Sequence, residues 1–231
     1  MRLNRYLAAC GLGSRRSCEG LVREGLVRIN GAVCRELATQ VEPGDRVEVE
    51  GSFVRPQAEA TVLLHKPRGY LTTRRDERGR RTVYDLLPPE WSGLQYVGRL
   101  DRDSEGLLLL TTSGEISQRL THPRHAVDKE YEAQLNRPLR ETDRRRLVAG
   151  VELEEGVARA ALVRLLSPRC CRIVIRQGWN RQVRRMFEAL GFEVMQLVRV
   201  RVGNLHLGEL PPGRWRVLGE GEVAALLGER S

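Results

Sequence analysis

The stretch Gly98-Arg99-Leu100-Asp101-Arg102-Asp103-Ser104-Glu105-Gly106-Leu107-Leu108-Leu109-Leu110 crowds five charged side chains directly in front of four leucines. Leu107–Leu110 is an unbroken run of four leucines and reads as a buried strand. A charged loop that abuts such a strand holds its side chains at a rigid sheet edge, where catalytic groups are often found. Taken alone, the loop only makes Asp101 a candidate, because most acids in such loops are solvated charges.

Outward from this strand, short apolar runs and amphipathic stretches alternate. Strands are predicted over Val62–His65, Leu107–Thr112, Tyr131–Leu135, Leu162–Leu165 and Arg172–Arg176. Helices are predicted over Gly114–Leu120, Glu141–Ala149 and Arg181–Leu190. The pattern is that of an α+β protein with one mostly antiparallel sheet. A second polar cluster, Gln177-Gly178-Trp179-Asn180-Arg181-Gln182-Val183-Arg184-Arg185-Met186-Phe187, opens the last of these helices. Val183, Met186, Phe187 and Leu190 form its core stripe, and Gly191 ends it. Arg181, Arg184 and Arg185 share another face and crowd a helix N-terminus, against the helix dipole. They require an anion, either an RNA phosphate or a carboxylate of the protein. Arg184, next to the stripe, should lie nearer the core than Arg181.

The first fifty or so residues read as a separate unit. Leu3, Tyr6, Leu7 and Cys10 mark one helical face, and Gly11 and Gly13 end that helix. Ser14 caps a second helix with Cys18, Leu21 and Val22 inside and Gly25 as its stop. Val27 and Ile29 lead into Asn30-Gly31, a hairpin turn, and Val47 and Val49 mark a further strand. Arg2, Arg5, Arg15, Arg16 and Arg23 make the polar face basic, and two arginines at a helix start break a local rule without visible compensation. Residues 51–60 have no period and contain a proline, as a linker would. The expected domains are 1–57 and 61–231.

With 231 residues and 41% hydrophobic content, the chain can bury a real core and is not disordered by composition. No apolar run approaches the ~20 residues of a membrane helix, and the N-terminus lacks the pattern of a signal peptide. A cytoplasmic protein with no membrane partner is expected. The net charge of +9 suggests a polyanionic partner. Lysine occurs only at Lys66 and Lys129; every other basic residue is arginine, suited to phosphate forks and base stacking. The five cysteines form no C-x-x-C pair, and Pro123 between His122 and His125 argues for a loop, so no metal is predicted. No glycine-rich strand-to-helix turn or phosphate-binding loop supports a methyltransferase or an NTPase. A hydrolase using Asp101 with Asp103 or Glu105 as an acid pair remains formally open.

Arg2-Leu3-Asn4-Arg5-Tyr6-Leu7, Gly13-Ser14-Arg15-Arg16 and Val27-Arg28-Ile29-Asn30-Gly31 resemble the RNA-binding module named after a ribosomal protein, the S-four domain. Further on, five segments follow in order: Lys66-Pro67-Arg68-Gly69, Val97-Gly98-Arg99-Leu100-Asp101, Gly106-Leu107-Leu108-Leu109-Leu110-Thr111, Lys129-Glu130-Tyr131 and Asn180-Arg181-Gln182-Val183-Arg184-Arg185-Met186. Together they resemble the bacterial rRNA pseudouridine synthases of the RsuA/RluB/RluE/RluF family. The C-terminal stretches 197–203 and 210–215 look closest to the RluB type, which acts on the large subunit. The resemblance implies a small N-terminal αL-type RNA-binding domain followed by a mostly antiparallel-sheet pseudouridine synthase domain.

It also implies roles. Asp101 is the nucleophile, Tyr131 stacks on the target base, Arg184 pairs with Asp101, and Arg99 fills the gap left by the flipped uridine. Arg2, Arg5, Arg15, Arg16, Arg181 and Arg185 would contact RNA. Trp179 departs from the family, whose members often carry a small or charged residue there. The partner would be rRNA or a pre-ribosomal particle. The reaction is an isomerisation, so no small-molecule cofactor is expected, and the protein would act as a monomer. Asp101 could attack the sugar or carbon 6 of the base, or promote elimination; Asp103 and Glu105 would matter far less. The competing expectations are a non-catalytic RNA-binding or ribosome-assembly protein and a synthase acting on small-subunit rRNA.

Overall fold

The structure, a computed structural model, describes residues 1–56, 58–91 and 93–228. Gln57 and residues 229–231, the expected ends of the two domains, lie outside the described residues. Two compact units are present: Met1–Ala60 with Pro88–Gln95, and Thr61–Leu87 with Tyr96–Ser231.

The first unit contains helices α1 (Leu3–Ala9) and α2 (Arg15–Arg23) and strands β1 (Val27–Ile29), β2 (Ala32–Val33), β3 (Val47–Val49) and β4 (Ser52–Phe53). The strands form an antiparallel sheet in the order β2-β1-β3-β4. Ser14 caps α2 by accepting a hydrogen bond from the Ser17 amide at 3.1 Å. Asn30 and Gly31 both take positive φ, 51° and 83°, as a two-residue hairpin turn demands. Leu3, Leu7, Cys18, Val22, Val27, Val47 and Val49 meet in one core. The linker expected at 51–60 is shorter than its sequence suggests. Ser52 and Phe53 extend the sheet beside β3, and the Val54 carbonyl accepts a bond from the Tyr6 hydroxyl. Two residues are too few for an alternation to show in sequence.

The second unit runs through β5 (Thr61–Lys66), β6 (Gln95–Val97), β7 (Glu105–Thr111), α3 (Gly114–Thr121), β8 (Lys129–Leu135), α4 (Glu141–Ala149), β9 (Val151–Leu153) and β10 (Gly156–Ala158). It continues through β11 (Leu162–Ser167), β12 (Cys170–Ile175), α5 (Gln182–Glu188), β13 (Val194–Val202), β14 (Leu205–His206), β15 (Trp215–Val217) and α6 (Glu220–Leu227). Its main sheet runs β11-β12-β8-β13-β7-β5-β15, antiparallel except at β13–β7. Leu107 and Leu109 join Ile116, Leu120, Leu218 and Leu226 in a core beneath α3 and α6. Leu108 and Leu110 are equally buried, so β7 is covered on both faces and its sequence runs apolar without alternation.

All five predicted strands and three predicted helices are present, with shifted ends. The long central strand β13 went unpredicted, as did β9, β10, β15 and α6. The last predicted helix begins at Gln182 rather than Arg181, whose φ of 48° makes it a left-handed cap.

The parallel pairing of β13 with β7 depends on Gly106. It pairs with Arg199 of β13 at φ 104°, and a Cβ there would collide with the Arg199 backbone amide and carbonyl. Gly106→Ala is therefore expected to lose about 2–5 kcal/mol in a urea titration, from backbone strain and overpacking together. Gly79→Ala, also at positive φ but with open space around its Cβ position, should lose only about 1 kcal/mol of strain. Equal midpoints for the two variants would rule out the close approach.

Candidate active site

The loop 98–104 lies between β6 and β7, and the segment that follows β5 holds it from beneath. The β5–β7 register sets Lys66 opposite Gly106. Lys66 is 0% exposed. Its Nζ donates to the carbonyls of Ser104 at 2.7 Å, Asp101 at 2.9 Å, Pro67 at 3.2 Å and Arg102 at 3.4 Å. Burial pulls its pKa from the ordinary lysine value down to about 8, against the pull of Asp101, Asp103 and Glu105. The Gly69 amide donates to the Arg102 carbonyl at 2.7 Å, and the Thr72 hydroxyl donates to the Leu100 carbonyl at 2.8 Å. None of these bonds to the loop backbone uses an acidic side chain of the loop.

A cavity of about 560 Å³ opens over this loop, and Arg99, Asp101, Lys129, Tyr131, Arg181 and Arg199 contribute to its wall. Asp101 is the only carboxylate in that wall among the described residues. Its carboxylate has no hydrogen bond or ion pair to any described residue. Tyr131 is 8% exposed, and Arg99 is exposed at the cavity. Trp179, the departure from the expected pattern, also lines it.

The expected Arg184–Asp101 pairing is not what the structure shows. Arg184 is buried with its Nη1 on the Val194 carbonyl at 2.7 Å and its Nη2 on the Asp103 carbonyl at 3.0 Å. Its Nε faces Asp103 Oδ2 at 3.3 Å, an ion contact without hydrogen-bond alignment. Arg181 Nη1 takes the other oxygen of Asp103 at 2.9 Å. Asp103 therefore bridges both arginines. Partial burial works against its charge, but the Arg181 bond and the two guanidinium charges outweigh it and hold its carboxyl below the usual range. The side chain of Arg184 is 7% exposed against 39% for Arg181, the order that the helical stripe predicts.

Arg185 is likewise occupied, by a two-pronged pair with Glu155 at 2.7 and 2.8 Å. The anions that these three arginines need are carboxylates of the protein itself, so Arg181 and Arg185 are not free phosphate donors as the chain stands. Asp103, expected to matter little, is an organising group. In the first unit Arg2, Arg5, Arg15 and Arg16 are exposed and have no ion pair among the described residues.

Three groups near the cavity had no role assigned from sequence, Lys66, Lys129 and Arg199, and Asp103 entered only as the acid partner of Asp101 in the hydrolase reading. One signal was available for two of them. In a chain that otherwise uses arginine throughout, both lysines sit in or under this site, one fully and one partly buried.

Residues 60–189 match the RNA pseudouridylate synthase family, and residues 1–47 match the S4 domain. A protein of Bacillus subtilis named ribosomal large subunit pseudouridine synthase B is 39% identical, with 97% of this chain and 95% of that protein aligned. A Vibrio cholerae protein of the same name is 41% identical over 94% of this chain and 71% of its own length. A crystal structure of a pseudouridylate synthase superposes with a TM-score of 0.71 at 29% identity, covering 98% of this chain and 99% of that one.

The Asp103 bridge predicts energetic coupling. In a double-mutant cycle of Asp103→Ala and Arg184→Met, chemical unfolding should show an interaction of about 0.5–3 kcal/mol. Additive losses would mean that the contact is incidental.

Proposed function

Because the chain belongs to the RNA pseudouridylate synthase family, we propose that it isomerises a uridine of large-subunit ribosomal RNA, with Asp101 as the nucleophile. The observation that carries this reading is the Asp101 carboxylate, unpaired and the only one among the described residues in the wall of a cavity that also holds Tyr131. Two of the most similar named relatives act, by their names, on the large subunit. The cavity volume of about 560 Å³ suits a nucleotide that has left its stack.

A carboxylate tied up in a bidentate arginine pair is a weak nucleophile, and Asp101 avoids that pairing because Asp103 takes Arg181 and Arg184 instead. Arg184 then acts through the loop: it grips both the carbonyl and the carboxylate of Asp103, two residues from Asp101. Tyr131 offers a buried ring for stacking against the base, and exposed Arg99 is placed to fill the vacated position in the RNA stack. The domain limits 1–57 and 61–231 fit this division of labour, with RNA capture in the first part and chemistry in the second. Ribosome assembly requires a cytoplasmic site of action, and no helix among the described residues is long and apolar enough to cross a membrane.

Two measurements test the reading. Pseudouridine mapping of rRNA from cells with and without the gene should lose one large-subunit position, and purified Asp101→Asn should fail to restore it while binding the RNA fragment almost as tightly. Turnover near wild type by Asp101→Asn would sink the assignment. The free arginines make a separate prediction. Replacing Arg2, Arg5, Arg15 and Arg16 with Gln should flatten the salt dependence of RNA binding, by roughly 0.7–0.9 in log–log slope for each phosphate that is no longer neutralised. An unchanged slope would mean that this face does not meet RNA.

A further inference from the structure

Arg199 is 4% exposed and sits in the wall of the same cavity. Its Nε donates to the Leu107 carbonyl at 2.7 Å, which anchors the side chain. Its two terminal nitrogens have no hydrogen-bond partner among the described residues, and neither belongs to the buried atoms left unsatisfied. Both are therefore accessible, and a ligand with acceptor oxygens in the cavity can complete the fork. The sheet explains its neighbours. Arg199 of β13 pairs with Tyr131 of β8, so the two side chains stand next to each other on one face. Lys129, two residues before Tyr131, falls on that face as well and also lines the cavity. Its Nζ contacts only carbonyls, those of Val127 at 3.1 Å and Arg176 at 3.3 Å.

Two other arginines of the cavity wall are paired with carboxylates, Arg181 with Asp103 and the exposed Arg176 with Asp128. Arg199 and Lys129 form no ion pair among the described residues, and both stand beside the ring proposed to stack on the base. Resting on the function proposed above, we propose that Arg199, assisted by Lys129, is a further catalytic residue that holds the uracil as an anion while it is detached from the ribose.

For attack at the sugar the electrons balance as follows. The bond from C1′ to N1 breaks with both electrons left on the base, and C1′ forms a bond to an Asp101 oxygen. The base carries one negative charge spread over its ring and its two carbonyl oxygens, acceptors suited to a guanidinium fork. After the base turns, C5 forms a bond to C1′ and the C1′–oxygen pair returns to Asp101. The C5 proton is lost and N1 gains one, so the product is an isomer and nothing is oxidised or reduced. Only the detached state is anionic, so cations fixed at that point favour it over the bound uridine.

The test compares two leaving groups. Single-turnover loss of the starting nucleoside is timed on an rRNA fragment that carries uridine or 5-fluorouridine at the target position, for wild type, Arg199→Met, Arg199→Lys and Lys129→Met. Fluorine withdraws charge from the ring, so 5-fluorouracil leaves with less help. Arg199→Met should slow the uridine substrate by about 100-fold, the range for losing one fixed donor to a developing anion, and the fluorinated one by about 10-fold or less. Arg199→Lys should fall between, and Lys129→Met should show a smaller gap of the same sign. Equal slowing of both substrates overturns the role. If Arg199→Met does not fold, Arg199→Lys decides on the same ratio. Absence of wild-type turnover would overturn the proposed function as well, whereas wild-type turnover with equal slowing overturns only the part given to Arg199.

Discussion

The ammonium of Lys66 is the contact on which the site is built. A turn as tight as 101–104 directs several carbonyls inward, where no strand partner can reach them, and buried carbonyls without donors are expensive. One lysine answers three of them, and the Pro67 carbonyl besides. Its own burial cost is visible in a pKa drawn down to about 8. Its position follows from the β5–β7 register, and that register follows from two apolar strands that must match face to face. Sheet pairing, lysine, loop and Asp101 therefore form a single chain of dependence. An arginine in place of Lys66 would present a plane rather than a point, and the four carbonyls converge on a point.

Charge pairing then divides the acids by task. Asp103 gathers Arg181 and Arg184, and Glu155 takes Arg185, so the basic N-terminal end of α5 is neutralised within the protein. That pairing fixes the helix against the loop and removes the nearest guanidinium groups from competition for Asp101. Two acids only two residues apart come to differ entirely in their surroundings, one bound from two sides and the other facing an open cavity. Deep ion pairs contribute little net stability once desolvation is counted. Here the arrangement serves geometry, because each arginine also reaches a backbone carbonyl or a neighbouring element.

Much of this was legible in the sequence, for identifiable reasons. The stripe Val183, Met186, Phe187 and Leu190 set the buried side of α5, and with it the deeper position of Arg184. Asn30-Gly31 fixed a hairpin because few other residues accept positive φ twice in succession. The strand β13 escaped notice because irregular register between Val194 and Gln196, and again between Arg199 and Arg201, breaks its alternation. Its burial comes from lying between β8 and β7, which no local pattern reveals. The partner of Arg184 was missed for a similar reason. Asp101 and Asp103 lie equally close in sequence, and only the folded loop decides which of them meets a helix some eighty residues away.

The same distinction separates the arginines of α5 from those of the first unit, which composition cannot tell apart. Those of α5 are held by carboxylates and backbone, have paid their desolvation on folding, and gain little by exchanging one anion for another. Arg2, Arg5, Arg15 and Arg16 are solvated and unpaired, so a polyanion can recruit them by releasing its counterions. Part of the affinity for RNA and of its sensitivity to salt should therefore reside in the first unit. The rate of the chemical step should depend on the charges held in and around the cavity of the second, which salt screens poorly because they are partly buried. A net charge of +9 is consistent with binding a nucleic acid. Solvent exposure, more than the presence of a partner, then separates the cations that can meet RNA from those that can serve the reaction.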